Sequence, residues 1–162
     1  MKKVSDITIL VVDANKENQE EVGTVFKDWG YKFVYAGCGL DAMDIVANTQ
    51  VTLVLLDIIM PGMDGFEVCH LLKNNPKTRD IPVIFLTSST ESENLVTSFL
   101  LGGVDYITKP FRPEELICRV NNHLDLIKAR KTIVNEEKEQ MKTTWLPIRL
   151  IQRFENYLNK KI

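Results

Sequence analysis

Residues 51–74 read VTLVLLDIIMPGMDGFEVCHLLKN, and the order of features in this stretch decides the fold. Val51 to Leu56 is a short apolar run with almost no polar alternation, the pattern of a strand covered on both faces of a parallel sheet. Asp57 closes the run, and Asp64-Gly65 reads as a turn that starts a helix over Phe66 to Asn74. Strand, loop and helix in that order make half of a β-α-β crossover.

The same unit recurs on either side. Ile7 to Val12, Tyr31 to Ala36, Ile81 to Leu86 and Val104 to Thr108 are the other apolar runs, each read as a strand. Helices are predicted over Lys16 to Trp29, Asp41 to Asn48, Ser92 to Leu101 and Pro113 to Lys128. In the first, Val22, Val25, Phe26 and Trp29 form one apolar stripe, and Gly30 is expected to terminate it. Pro113 suits a first helical turn, where its missing N–H has no partner to lose, and Pro82 suits a strand start. Five β-α units in succession imply an α/β protein with an open, doubly wound parallel sheet.

Composition agrees. The 162 residues favour one compact domain with a short appendage, and 44% hydrophobic with 26% charged residues argues against disordered or collagen-like classes. Cys38, Cys69 and Cys118 are odd in number and far apart, which speaks against a disulfide framework or thiolate metal site and fits a reducing cytoplasm. The first uninterrupted apolar run, Ile9 to Val12, is too short for a signal-peptide core or a membrane span. Residues 1–128 carry 12 Lys+Arg against 18 Asp+Glu, whereas residues 129–162 carry 8 against 4. An acidic body with a short basic tail argues against nucleic acid as a partner.

Beyond Lys128 the last helix is expected to continue through Glu136 to Lys142, with Val120, Ile127, Val134 and Met141 at heptad spacing. The companion positions His123, Arg130, Glu137 and Thr144 leave that seam incomplete. Pro147 should break the helix, and Leu150, Ile151, Phe154, Tyr157 and Leu158 form a final amphipathic piece.

In open parallel α/β sheets, ligands bind outside the carboxyl ends of the strands, so the residues just after each apolar run matter most. They are Asp13, Asp57, Thr87 with Ser88, and Lys109-Pro110. Two carboxylates, a hydroxyl and an ammonium on one rim suit the handling of a phosphoryl group. Asp57 would be the nucleophile, forming an acyl phosphate. Asp13 would help hold Mg²⁺, which prefers oxygen ligands and offsets charge on the transferring oxygens. Thr87 would donate a hydrogen bond to one phosphoryl oxygen, and Lys109 would place its charge on another.

The stretches ILVVD at 9–13, LLDIIMPGMDGFEVC at 55–69, IPVIFLTSS at 81–89 and DYITKPF at 105–111 resemble the receiver domain of two-component response regulators, in order and in spacing. The resemblance covers roughly residues 5–128. It implies a chemotaxis-regulator-like, flavodoxin-like sheet of five strands in order 2-1-3-4-5 and a receiver domain over 1–128; the remaining residues, 129–162, are expected to be a helical extension for dimerisation or linkage. It further implies a phosphorylation-dependent switch that catalyses its own phosphorylation and dephosphorylation. Asp57 would accept the phosphoryl group from a sensor histidine kinase or phosphotransfer protein and signal to a downstream output protein or domain. Asp13, Asp57 and the backbone carbonyl of Ile59 would be the Mg²⁺ ligands, Lys109 the phosphate-pairing lysine, and Thr87 and Tyr106 the switch pair. The Lys109-Pro110 bond would be cis.

Position 14 departs from the pattern. The family places two adjacent acids after the first strand, whereas here they read Asp13-Ala14, removing one oxygen ligand; Asn15 and Glu17 are the nearest candidates to compensate. Weaker Mg²⁺ binding is expected, and the alternative is a pseudo-receiver that works through protein contacts without phosphorylation. A third class comes from Gly37-Cys38-Gly39-Leu40-Asp41-Ala42, which satisfies a short dinucleotide fingerprint on paper but follows the second strand and leaves Thr87 and Lys109 without a purpose. His70 and His123 lack further ligands at metal spacing and read as structural.

Overall fold

A computed structural model of the chain describes residues 6–88, 92–144, 153 and 156. The chain forms two units, Met1–His123 and Leu124–Ile162. Five strands alternate with five helices: β1 (Thr8–Val12), α1 (Lys16–Val25), β2 (Lys32–Ala36), α2 (Gly39–Asn48), β3 (Leu53–Asp57), α3 (Gly65–Lys73), β4 (Val83–Thr87), α4 (Ser92–Leu100), β5 (Asp105–Thr108) and α5 (Pro113–Thr144). The sheet is parallel, in the order β2-β1-β3-β4-β5, as the resemblance implies.

Burial explains the sequence pattern. Every residue of the three inner strands β1, β3 and β4 is buried, so none of them alternates. The edge strands β2 and β5 are only partly covered. On one face Leu10, Val12, Val54, Leu56, Val83 and Phe85 pack with Ala42 of α2 and Val68, Cys69 and Leu72 of α3. Strand ends are tied across the sheet by Thr52 N donating to Thr8 O at 2.8 Å and by Asp13 N donating to Ala36 O at 3.0 Å.

Most elements differ from the expectation by one or two residues at an end, and α1 by four. α1 stops at Val25, not Trp29: the next bonds, Lys27 N to Thr24 O and Trp29 N to Phe26 O, span three residues and tighten the chain into turns before Gly30, whose φ is +72°. Val22 and Phe26 are buried as the stripe requires, but Trp29 is 41% exposed and meets Tyr31 with ring centroids 6.0 Å apart. α2 begins two residues earlier than expected, at Gly39. Its two-glycine motif has a packing reason at one position: a Cβ on Gly39 would stand 2.9 Å from Met63 and Val68. α5 begins at Pro113, as expected, and continues to Thr144. Pro147 and the amphipathic residues Leu150, Ile151, Phe154, Tyr157 and Leu158 lie outside the described residues.

The turn from β3 into α3 is the tightest part of the frame. Asp64 caps α3 by accepting from Glu67 N at 2.9 Å, while the Glu67 carboxylate accepts from Asp64 N at 3.0 Å, a reciprocal capping box. Gly65 then lies directly on the end of β3, where an added Cβ would overlap the Asp57 carbonyl oxygen and stand 2.8 Å from Ile58 Cα. Gly65 N donates to Ile58 O at 2.8 Å, closing the loop. Asp64→Ala should therefore lower the unfolding free energy by ~0.5–2 kcal/mol through loss of the cap. Gly65→Ala should cost more, because backbone must shift, and urea denaturation of the two variants measures the order.

Candidate functional site

The carboxyl rim gathers three of the predicted residues within direct reach. Asp57 is the last residue of β3, Asp13 follows β1, and Lys109 follows β5. The inner position of β1 and β3 brings both carboxylates to the middle of the sheet. Lys109 N donates to Thr87 O at 2.7 Å, which fixes the lysine backbone against the end of β4, and the Lys109-Pro110 bond is cis. The Lys109 ammonium then lies 2.6 Å from Asp13 Oδ2 and 3.1 Å from Asp57 Oδ2.

Asp13 is 1% exposed, so its charge needs full compensation. Oδ1 accepts from Asn15 N at 2.8 Å and from the Asn18 side chain at 3.3 Å; Oδ2 accepts from Asn18 at 3.1 Å and from Lys109. A carboxylate has about four lone-pair sites, and these contacts fill them. The Gln19 side chain donates to the backbone carbonyls of Asp13 at 2.7 Å and Ala36 at 3.3 Å, holding the ends of β1 and β2 together. Neither Asn18 nor Gln19 stood out in the sequence, because polar residues near a helix start look like a solvated face. Their spacing from Asp13, five and six residues on, places them on the first turns of α1.

Neither proposed substitute for the missing acid occupies the pocket in that role. The Asn15 side-chain oxygen accepts from Glu17 N at 2.8 Å and caps α1, while Glu17 is an exposed first-turn residue. The cap thus belongs to Asn15, with Asp13 bonded to the Asn15 amide instead. Among the described residues no group of three His, Cys, Asp or Glu side chains is placed to share a metal ion. Ala14 offers no side-chain oxygen, and both Asp13 oxygens accept hydrogen bonds, from Asn15, Asn18 and Lys109.

Burial pushes the Asp57 carboxyl above the ordinary carboxylate value; the charge and hydrogen bond of Lys109 pull it back, and the nearby Asp13 charge adds a smaller upward push. Ile59, two residues on, is 64% exposed. Thr87 is fully buried at the end of β4. Tyr106 is half-buried on β5, paired in register with Phe85 and packed against the core. A second cluster, on β5 and α5, was not predicted: Asp105 accepts from Arg119 at 2.7 Å and pairs with His123 at 3.0 Å, and Arg119 also pairs with Glu115 at 3.1 Å. His123 is thereby a structural partner of Asp105, and His70 is exposed beside Asn74.

The model of the response regulator receiver domain matches residues 9–121. A Vibrio cholerae protein named "Probable cyclic di-GMP phosphodiesterase" is 38% identical over 136 residues, 84% of this chain and 31% of its own length. The transcriptional regulatory protein YvrH of Bacillus subtilis is 35% identical over 122 residues, 75% of this chain and 50% of its own. This chain therefore spans half or less of the length of these relatives. Among solved structures, the signal receiver domain of a signal transduction histidine kinase from Syntrophus aciditrophicus is 32% identical with a TM-score of 0.70, covering 75% of this chain and 92% of that one. No helix among the described residues is long and apolar enough to cross a membrane.

The raised Asp57 value has a stability consequence. An acid whose pKa is higher folded than unfolded leaves the folded state holding more protons as pH climbs between the two values, so stability falls across that interval. Asp57→Asn removes this cost while Lys109 keeps Asp13 as partner. The variant should melt higher than wild type near pH 7 in metal-free buffer, with the difference shrinking as pH drops below the ordinary carboxylate value. Thermal scans across pH measure both.

Proposed function

This chain belongs to the response regulator receiver domain family, and we propose that it is a phosphorylation-dependent signalling switch whose acceptor is Asp57. The observation that carries the reading is the Lys109 ammonium held against the Asp57 carboxylate at the strand ends. In the proposed step an Asp57 oxygen attacks the phosphorus of a phosphohistidine on a sensor kinase or phosphotransfer protein. The phosphorus–nitrogen bond breaks, and the leaving imidazole takes a proton. Lys109 exchanges its contact with the carboxylate for one with a phosphoryl oxygen, and its bond to Asp13 keeps it aimed during the exchange. Thr87, at the adjacent strand end, donates to a second phosphoryl oxygen, and Tyr106 on β5 responds to that movement. The relayed change is read by an output protein or domain in the cytoplasm, a setting in keeping with three free cysteines.

Asp13, Asp57 and the backbone carbonyl of Ile59 would hold Mg²⁺, which would supply positive charge to the transferring oxygens. Ala14 weakens that binding by ~10 to 100-fold, by analogy with losses at supporting residues of metal sites. The saturated Asp13 carboxylate and Ala14 together favour a second reading, a pseudo-receiver that acts through protein contacts alone.

Intact-mass spectrometry after incubation with a small-molecule phosphodonor separates the two. A phosphoryl adduct in wild type and none in Asp57→Asn supports the switch; no adduct in wild type at saturating Mg²⁺ supports the pseudo-receiver. Ile59 is exposed and apolar two residues after Asp57, and we propose that it impedes the water that attacks the acyl phosphate. Ile59→Asn is therefore expected to shorten the adduct lifetime several-fold, and a time course of adduct loss measures it.

A further inference from the structure

The part of α5 that belongs to the second unit is exposed at every residue from 128 to 141. A helical segment of this length without packing is marginal in water, and an apolar stripe on it calls for a partner. Leu126, Ile133 and Met141 are each more than half exposed, and Val134 is exposed beside them. Arg130 and Glu137 fall on the same stripe, four residues after Leu126 and four before Met141. These are two of the positions that made the heptad seam incomplete in the sequence.

We propose that this stripe pairs with the same stripe of a second copy of the chain, with the two helices antiparallel about an axis near Ile133 and Val134. Arg130 and Glu137 are equally distant from that point, so an antiparallel pair sets each Arg130 against Glu137 of the second copy, twice over. Leu126 then comes opposite Met141, and Ile133 opposite Val134. A parallel pair in register would set Arg130 against Arg130 and Glu137 against Glu137, burying like charges in the centre of the seam. Charged residues inside an apolar seam fix direction and register in this way. Glu136 and Lys138 lie toward the edges of the stripe, where charge pairs contribute little, so the central pair decides the direction. The proposal does not depend on the chemistry at Asp57.

Sedimentation velocity on the full chain tests it, with circular dichroism confirming that each variant keeps its helix. Wild type should form a dimer, and Arg130→Glu or Glu137→Arg alone should each raise the dimer dissociation constant by about tenfold or more. The double variant Arg130→Glu/Glu137→Arg restores the opposite charges of the antiparallel pair and should return to within about threefold of wild type. Ile133→Glu should abolish the dimer. A wild type that stays monomeric at about 100 μM would overturn the proposal and give the stripe a different occupant. Single charge reversals without effect would overturn the antiparallel arrangement, since a parallel pair carries like charges before and after. A dimer that survives Ile133→Glu would place the interface elsewhere and overturn the proposal equally.

Discussion

Two carboxylates at neighbouring strand ends repel each other and disfavour ionisation unless a cation stands between them. The Lys109 ammonium, 2.6 Å from Asp13 and 3.1 Å from Asp57, meets that requirement. The sheet order makes the meeting possible, because β1 and β3 are adjacent at the centre while Lys109 arrives from β5 at the edge. The lysine backbone is held by Thr87 O, so the residue that ends β4 also positions the charge. Burial of Asp13 makes the arrangement obligatory, since a buried anion without its donors is strongly unfavourable.

The loop after β3 serves the same end. Gly65 packs onto the Asp57 backbone, and the Asp64–Glu67 capping box starts α3 at that point. The Asp57 carboxylate is thus fixed at a strand end, with Ile59 open to solvent between the buried Ile58 and Met60. In the proposed switch, rigidity at Asp57 matters because the bonds that Thr87 and Lys109 form to the phosphoryl group are what distinguishes the two states in free energy.

The inner strands were legible because complete burial on both faces leaves an unbroken apolar run. Asp13, Asp57 and Lys109 were legible for a related reason: each follows or closes such a run. The end of α1 was not, because the stripe through Val22 and Phe26 continues on paper to Trp29, whereas in the fold Trp29 turns toward Tyr31 and the backbone tightens first. Asn18 was missed because its value lies in a partner five residues back, and no local pattern marks a polar side chain that turns inward. The Asp105–Arg119–His123 cluster joins β5 to α5 across 14 and 18 residues, a pairing that only the tertiary structure reveals.

Ala14 is where the site and the family pattern diverge, and the dependence of Asp57 modification on Mg²⁺ tests the account most directly. The rate of adduct formation, followed by intact mass over a range of Mg²⁺ concentrations, would be compared between wild type and Ala14→Asp. The account predicts metal-dependent modification in both, with half-saturation in Ala14→Asp at a Mg²⁺ concentration ~10 to 100-fold lower. Equal half-saturation in the two proteins, or an adduct that forms as fast without Mg²⁺, would contradict it.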